Sequence, residues 1–329
     1  MVSIPKLRED LQRRLSDFLW NEWGQMGASA TVAQHSPWAA DPEALLLVSF
    51  EVGREEPRLL GEVLDWLVVN ERLVSVQRLR NLARDEPDRA LVEAVIGWLG
   101  ERRKRPRRGA KPGIPRSDEP QPFFRISQLP VEDPDPAFLA QGFTKPRSGP
   151  TWKSQTPDLN DPINFAFRLR LLLGVGVRAE AVRVLLTTEA PQLDVKTLAA
   201  STAFSKRNVQ EGVAALNAAG VLTSWEVGNE QRFEASRESW ARFLGLDRLP
   251  QHVDWPQIFA AYRKILRWLA DPANQDLSDY MLASEARTLV EEVAPDLRFA
   301  GIDSGASGKV EDSSYFEDIA KSFLELGPF

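Results

Sequence analysis

The side chains best suited to chemistry crowd into the beginning of one predicted helix, in the stretch AFSKRNVQEGVAALNAAGVL at 203–222. Val209, Val213 and Leu216 share one face of that helix, which can pack on a core. The polar residues precede or flank that face, and the candidates among them are Ser205, Lys206, Arg207, Asn208 and Gln210. Arg and Lys can bond guanine O6 and N7, whereas Asn and Gln can bond adenine N6 and N7. The pattern predicts a helix that reads base edges with its first turns and packs with the rest.

Local signals on both sides define the ends of this helix. Ser205 suits the N-cap, because its hydroxyl can accept from a backbone N–H two or three residues on. Gly220 stands where a C-terminal glycine cap would end the helix. A shorter helix, with Asp194 as its predicted N-cap, precedes it and is joined to it by a tight connection at Ala203-Phe204. The spacing therefore predicts a helix, a turn and a second helix.

A β-hairpin is predicted directly after this helix pair. TSWEV and EQRFEA alternate apolar and polar residues on either side of Gly228-Asn229, which suits a tight turn. We expect Asn229 at the tip to donate to a phosphate or a minor-groove acceptor, and Arg232 to reach a narrow minor groove. Helix, helix, turn, helix and two-stranded wing is the order of a winged helix-turn-helix, whose second helix enters the major groove.

Residues 178–236 resemble the winged helix-turn-helix families of bacterial regulators. The resemblance is carried by FSKRNVQEGVAALNAAGVL and by the glycine before the first wing strand. It implies a bacterial, cytoplasmic, homodimeric transcription regulator that binds specific double-stranded DNA. More loosely, residues 40–80 and SDYMLASEARTLVEEVAPDL look like large winged-helix proteins found beside nucleotidyltransferase toxins. That second resemblance implies an antitoxin-like regulator with a toxin as protein partner.

A basic run follows the N-terminal helices. Residues 101–162 carry 12 basic and 8 acidic side chains. The candidates for phosphate contact in this run are Arg102, Arg103, Lys104, Arg105, Arg107 and Arg108. The run is either an arm that tracks phosphates, which supply sequence-independent affinity, or a plain solvated linker.

Composition argues against several classes of site. The 329 residues include no Cys, so disulfides, thiolate metal sites and Cys nucleophiles are excluded. The two histidines, His35 and His252, lie far apart in sequence. GASGKV departs from a phosphate loop, because Asp303 replaces the first glycine and Val310 the Ser or Thr. We expect no enzyme activity, cofactor or metal. Neither a signal peptide nor a membrane span is predicted, and the chain is interpreted as cytoplasmic.

The predicted fold class is mainly α: a winged helix-turn-helix with a small β-hairpin wing, flanked by helical domains. The predicted segments are an N-terminal helical domain (1–100), a basic then Pro-rich linker (101–160), the winged helix-turn-helix (161–240) and a C-terminal helical domain (241–329). The linker is expected to pack in places through its phenylalanines, Phe123, Phe124, Phe138 and Phe143.

Two alternatives remain open at this point. The first is a different helix-turn-helix within residues 57–84. The second is an adaptor or antitoxin that binds a partner protein through the acidic ends of the chain and never touches DNA. The charge balance of residues 163–240 does not strongly favour either a DNA partner or a protein partner, because this segment carries 9 basic and 8 acidic side chains.

Overall fold

The computed structural model describes residues 3–102, 119–126, 130–275, 277–303 and 315–325. Over these ranges the chain is mainly helical and includes a small three-stranded antiparallel sheet, so the mainly-α prediction is confirmed at this level. The α-helices of the described ranges are α1 Ile4–Gln25, α2 Pro42–Val52, α3 Pro57–Asn70, α4 Val76–Leu82, α5 Asp88–Arg102, α6 Pro136–Leu139, α7 Phe165–Leu173, α8 Val177–Thr187, α9 Val195–Thr202, α10 Lys206–Ala218, α11 Arg237–Leu244, α12 Trp255–Ala270, α13 Asp279–Phe299 and α14 Tyr315–Leu324. The strands are β1 Gln121–Pro122, β2 Phe143–Thr144, β3 Leu193–Asp194, β4 Thr223–Val227 and β5 Glu230–Glu234.

The chain divides into two compact units rather than the four segments predicted from composition. One unit comprises Met1–Trp20 and Asp254–Phe329, and the other comprises Asn21–Val253. Most of the predicted N-terminal domain, the predicted linker and the helix pair with its hairpin therefore belong to one unit. Charged side chains buried between α2, α4, α7 and α8 account for this difference, because they join parts of the chain that the composition separates.

Aromatic and aliphatic side chains form the core of the unit that includes α12, α13 and α14. Trp255 and Phe259, one turn apart on α12, stack with 5.0 Å between ring centroids, and the ring of Phe18 lies 5.4 Å from that of Trp255. Leu7, Leu11 and Leu15 of α1 are fully buried. The helical spacing at the start of the chain is therefore a core stripe.

The described part of the predicted linker is packed. Phe123, Phe138 and Phe143 are buried, and the ring of Phe123 meets each of the other two edge-on at 5.0 Å and 5.7 Å. β1 and β2 form a short parallel pair beside them. The prediction that phenylalanines anchor this segment is confirmed for these three residues, and Phe124 also makes an edge contact with Phe123.

The helix pair and the sheet share one core in the unit Asn21–Val253. Its members come from α7 to α11, from β3 and β5 and from the residue before β4, and include Leu169, Val182, Leu198, Val209, Val213, Leu222 and Phe233. The strand order is β3-β5-β4, with Leu193 and Ser224 both in register with Phe233. The hairpin was predicted to have two strands. The sheet has a third strand, β3, of only two residues. A strand this short shows no alternation of apolar and polar residues in the sequence, so it was not predicted.

Candidate nucleic-acid interface

The polar residues at the beginning of α10 are exposed, and its apolar residues are buried. Each of the five predicted reading residues, Ser205, Lys206, Arg207, Asn208 and Gln210, is exposed. On the opposite face Val209 and Val213 have no exposed surface. The separation of a polar from a packing face, predicted from the spacing, is therefore present in the structure.

Both ends of α10 are capped as predicted. The Ser205 hydroxyl accepts from the backbone N–H of Asn208 at 3.2 Å. At the other end Gly220 has φ +72°, and its N–H donates to the carbonyl oxygen of Asn217 at 2.9 Å. The N–H of Val221 reaches back to the carbonyl oxygen of Leu216 at 2.9 Å, which completes a Schellman motif.

Close packing against α8 determines where α10 lies. Gly212 is buried on the packing face, and a Cβ added there would lie 3.0 Å from Cγ1 of Val177. A side chain here would crowd Val177, and the N-terminus of α8 lies directly beside the middle of α10. The exposed side chain of Arg178 is next to this contact, with Cγ 3.8 Å from the same added Cβ. The sequence analysis did not select Arg178, since its position in the helical pattern says nothing of a neighbour on α10.

Arg207 is highly exposed and already has an acidic neighbour. Its Nε donates to Oε1 of Glu211 across 2.9 Å, one turn along α10, and the two side chains are 87% and 65% exposed. An exposed pair of this kind is weak and exchanges readily with solvent. A guanine edge could therefore replace Glu211 as the partner of Arg207, while the Glu211 carboxylate would repel a nearby phosphate.

The turn between α9 and α10 is held by side chains from α4. Ala203 ends α9 in the left-handed conformation, with φ +57°. Asn81 Nδ2 donates to the carbonyl oxygen of Ala203 at 2.9 Å, and Arg78 Nε donates to that of Thr202 at 2.7 Å. The α9–α10 turn is therefore positioned by helices far upstream in the sequence.

The hairpin places its candidate residues on its outward face. Asn229 is exposed at the tip beside Gly228, which has φ +64°. Glu230 and Arg232 share the outward face, with Oε2 and Nη2 3.7 Å apart. Arg232 is in register with Trp225 on one side and with Asp194 on the other.

Arg232 is less available for contact with DNA than its position in the sequence indicated. Its side chain is 40% exposed, and its charge acts on Asp194. Burial would raise the pKa of Asp194, but hydrogen bonds from Thr197 and the charge of Arg232 outweigh this and lower that pKa. Trp225 and Val227 also lie on the outward face and are about half exposed, whereas Phe233 and Ala235 are buried. The apolar residues of β4 therefore point away from the core that β5 covers.

In the basic run, only Arg102 lies within the described residues. Its guanidinium lies 4.0 Å from the ring of Trp98 and donates to the carbonyl oxygens of Trp98 and Ser148. It also pairs with Asp135 at 3.3 Å. These contacts join the end of α5 to Asp135 and Ser148 and occupy the guanidinium of Arg102, whose DNA binding stays a prediction. The remaining candidates, Arg103, Lys104, Arg105, Arg107 and Arg108, lie outside the described residues.

The alternative helix-turn-helix within 57–84 would have α4 as its second helix. Of the residues in α4, only Gln77 and Arg80 are exposed, and Arg80 pairs with Glu93 at 2.7 Å. Arg78 and Leu79 are buried. The exposed polar surface of α4 is therefore smaller than that of α10, which favours α10 as the reading helix.

A cluster of buried charges was missed by the sequence analysis. It consists of three acids and three arginines, Asp41, Glu43, Arg78, Arg170, Glu180 and Arg183. Arg170 bonds Glu43 and Glu180, both at 2.6 Å from Nη2, and Arg78 pairs with Asp41 and Glu43. A signal was available, because Arg170 and Arg183 occupy positions on the apolar stripes of α7 and α8.

Mutual attraction keeps this cluster ionised. Burial by itself would raise the pKa of Glu180, but the positive charges of Arg170, Arg183 and Arg78 hold that pKa well below its ordinary value. Burial would likewise raise the pKa of Asp41, and the charge and hydrogen bonds of Arg78 outweigh it and lower that pKa. These pairs link α2, α4, α7 and α8, because separation of any partner would leave a buried charge uncompensated.

No family model matches this chain, and no curated protein or solved structure matches it either. Among the described residues, no helix is both long enough and apolar enough to cross a membrane. The described part of the chain also has no group of three or more His, Asp or Glu side chains arranged to hold a metal ion. The role of the α10 surface must therefore be argued from its geometry.

Proposed function

We propose that residues 177–236 form a winged helix-turn-helix that binds double-stranded DNA, with α10 as the recognition helix. The observation that carries this proposal is the beginning of α10, where five reading residues are exposed while the opposite face is buried. A helix of 13 residues is about 20 Å long, and the major groove admits an α-helix.

The order of elements supports the same proposal. α8, β3, α9, α10, β4 and β5 follow one another, and β5 lies between β3 and β4 in the sheet. This is the order expected of a winged helix, with the β4–β5 hairpin as the wing. Exposed Arg178 and Lys196, in the first turns of α8 and α9, add positive charge suited to phosphates.

The biological role we propose is transcription regulation in the bacterial cytoplasm. If the chain also binds a toxin as its protein partner, it would act as an antitoxin-like regulator. A homodimer would place two copies of α10 in successive major grooves, on half-sites about 10 base pairs apart. Such a regulator would bind DNA upstream of its own coding region.

Electrophoretic mobility of that upstream DNA tests the proposal at two salt concentrations. We expect a retarded complex at low salt, a weaker one at high salt, and preference over a shuffled sequence of the same composition. Equal retardation of the upstream DNA and the shuffled DNA would indicate that the protein binds DNA only non-specifically. No retardation at either salt concentration would contradict the proposal.

The exposed hairpin face favours a second candidate, an adaptor for a basic partner protein. Trp225 and Val227 are about half exposed there, and Glu230 lies beside them. Exposed aromatic and acidic side chains suit a protein surface better than a phosphate backbone. The hairpin variants described in the Discussion distinguish the two candidates.

A further inference from the structure

A polar cleft of about 490 Å³ lies in the unit Asn21–Val253, away from the residues assigned to DNA. Its walls are residues 27–31 after α1, Arg58 of α3, and Lys153 and Gln155 of the loop 151–156. The lining contains Gly, Ala, Ser, Thr, Gln, Arg and Lys, and no large apolar side chain. Sites for drug-like molecules are mainly apolar, so this lining suits a small, strongly polar ligand.

Positive charge predominates in the cleft. Arg58 and Lys153 both line it, and the hydroxyls of Ser29 and Thr31 add donors. The acids Glu62 and Asp65 lie close by but are not among the lining residues: burial and Asp65 raise the pKa of Glu62, and the charges of Lys153 and Arg58 partly oppose this. The lining itself therefore offers two cations and no carboxylate to an anion.

The loop that carries Lys153 is held in a defined conformation. The Asp65 carboxylate accepts from the backbone N–H groups of Trp152, Lys153 and Ser154, at 2.6, 3.0 and 2.9 Å. On its other side, the N–H of Gln155 donates to the carbonyl oxygen of Gly27 at 2.7 Å. A side chain at Gly27 is excluded, because its Cβ would lie 2.6 Å from the carbonyl oxygen of Gln155.

Backbone strain marks the same loop. Trp152 has φ +59°, a conformation that residues with side chains rarely adopt, and its ring is 62% exposed. Strain of this kind persists only where the surroundings impose it, and it concentrates at ligand sites. The backbone that carries Lys153 is thus fixed before any ligand arrives, which lowers the ordering cost of binding.

We infer that this cleft binds a small molecule with a phosphate or carboxylate group. Lys153 supplies a compact charge and Arg58 a planar fork that matches two oxygens of the anion. Ser29 and Thr31 can donate to the remaining oxygens. This site does not depend on the DNA-binding proposal, and its occupant would be an effector of whatever the rest of the chain does.

Calorimetric titration of the full chain with inorganic phosphate, and separately with citrate, tests this inference at low ionic strength. We expect saturable binding of at least one of the two anions at one site per chain. Lys153→Ala and Arg58→Ala should each weaken it at least tenfold. Lys321→Ala, which removes an exposed lysine from α14, is the matched control and should bind as the parent does.

Protection of Lys153 from acetylation by the bound anion, measured by mass spectrometry, gives a second readout in the parent protein itself. Circular dichroism of each variant checks that it is folded. Absence of saturable binding by both anions would overturn the inference. An equal loss in Lys321→Ala would also overturn it, because that result indicates diffuse charge attraction.

Discussion

Arg78 donates a 2.7 Å hydrogen bond from Nε to the carbonyl oxygen of Thr202, 124 residues further along the chain. Thr202 is the last residue of α9, so a side chain of α4 holds the point where the α9–α10 turn begins. The same guanidinium pairs with Asp41 and Glu43 of the α2 N-terminus. The orientation of α10 therefore depends on the N-terminal helices, and changes in those helices can reach the proposed recognition surface.

Removal of Arg78 should destabilise the protein strongly. Arg78→Ala leaves the Asp41 and Glu43 carboxylates buried with one cation fewer, which costs about 3–5 kcal/mol in comparable sites. The midpoint of urea unfolding measures this. Arg80→Ala on the same helix is the control, because Arg80 pairs with Glu93 at the surface and should cost at most about 1 kcal/mol. Equal midpoints for the two variants would contradict the role of the buried cluster.

The buried cluster should also make stability depend on pH in the acid range. The folded pKa of Glu180 lies well below its ordinary value of 4.5, so its contribution is complete above that pH and is lost as pH falls toward the folded pKa. We expect Glu180→Gln to be less stable than the parent at pH 7, with the difference shrinking below about pH 4.5. Urea unfolding from pH 7 to pH 3 measures it. Glu238→Gln, an exposed change on α11, should give a small difference throughout.

Arg207→Ala and Gln210→Ala should weaken binding to specific DNA without unfolding the protein. A bidentate base contact contributes about 1–3 kcal/mol of discrimination, or roughly five- to 150-fold in affinity. Arg242→Ala is the matched control, because Arg242 pairs with Glu238 at the same i,i+4 spacing and similar exposure on α11. Fluorescence anisotropy with labelled DNA measures the affinities. Parental affinity in both α10 variants would reject α10 as the recognition helix.

The hairpin should distinguish the DNA reader from the adaptor. We expect Arg232→Ala to weaken DNA binding and Glu230→Gln to strengthen it, both most clearly at low salt, because the two charges share the outward face. Glu226→Gln is the control, since Glu226 pairs with Gln231 and points to the other face. If both outward-face variants bind as the parent does while Arg207→Ala does not bind, the hairpin is only structural. If none of the three variants changes DNA binding, the adaptor is favoured.

Within the basic run, we expect Arg102 to stabilise the fold and the arginines after it to bind phosphates. Alanine at Arg105, Arg107 and Arg108 should weaken binding to all DNA sequences alike and reduce the log–log salt slope by about 0.9 for each phosphate that is no longer neutralised. Arg102→Ala should instead lower stability, because it removes the interactions with Trp98 and Asp135. Anisotropy titrations over a range of salt concentrations measure the slope. An unchanged slope would identify the run as a plain linker.

Features that depend on neighbours within a few residues were predictable from the sequence. The N-caps Asp194 and Ser205 accept the bonds expected of them, and Gly220 ends α10. The polar and apolar faces of α10 also follow from its 3.6-residue period. The sequence by itself therefore determined that a helix with an exposed polar beginning would form at this place.

Only the tertiary structure decided which charged residues are buried and which surfaces are left outside. Arg78 and Arg80 differ by two positions on one helix, yet the first is fully buried and the second is exposed. Arg102 begins a uniform basic run in the sequence, yet Trp98 and Asp135 hold its guanidinium in place. These outcomes depend on partners brought together by packing from distant parts of the chain, and a local pattern carries no information about such partners.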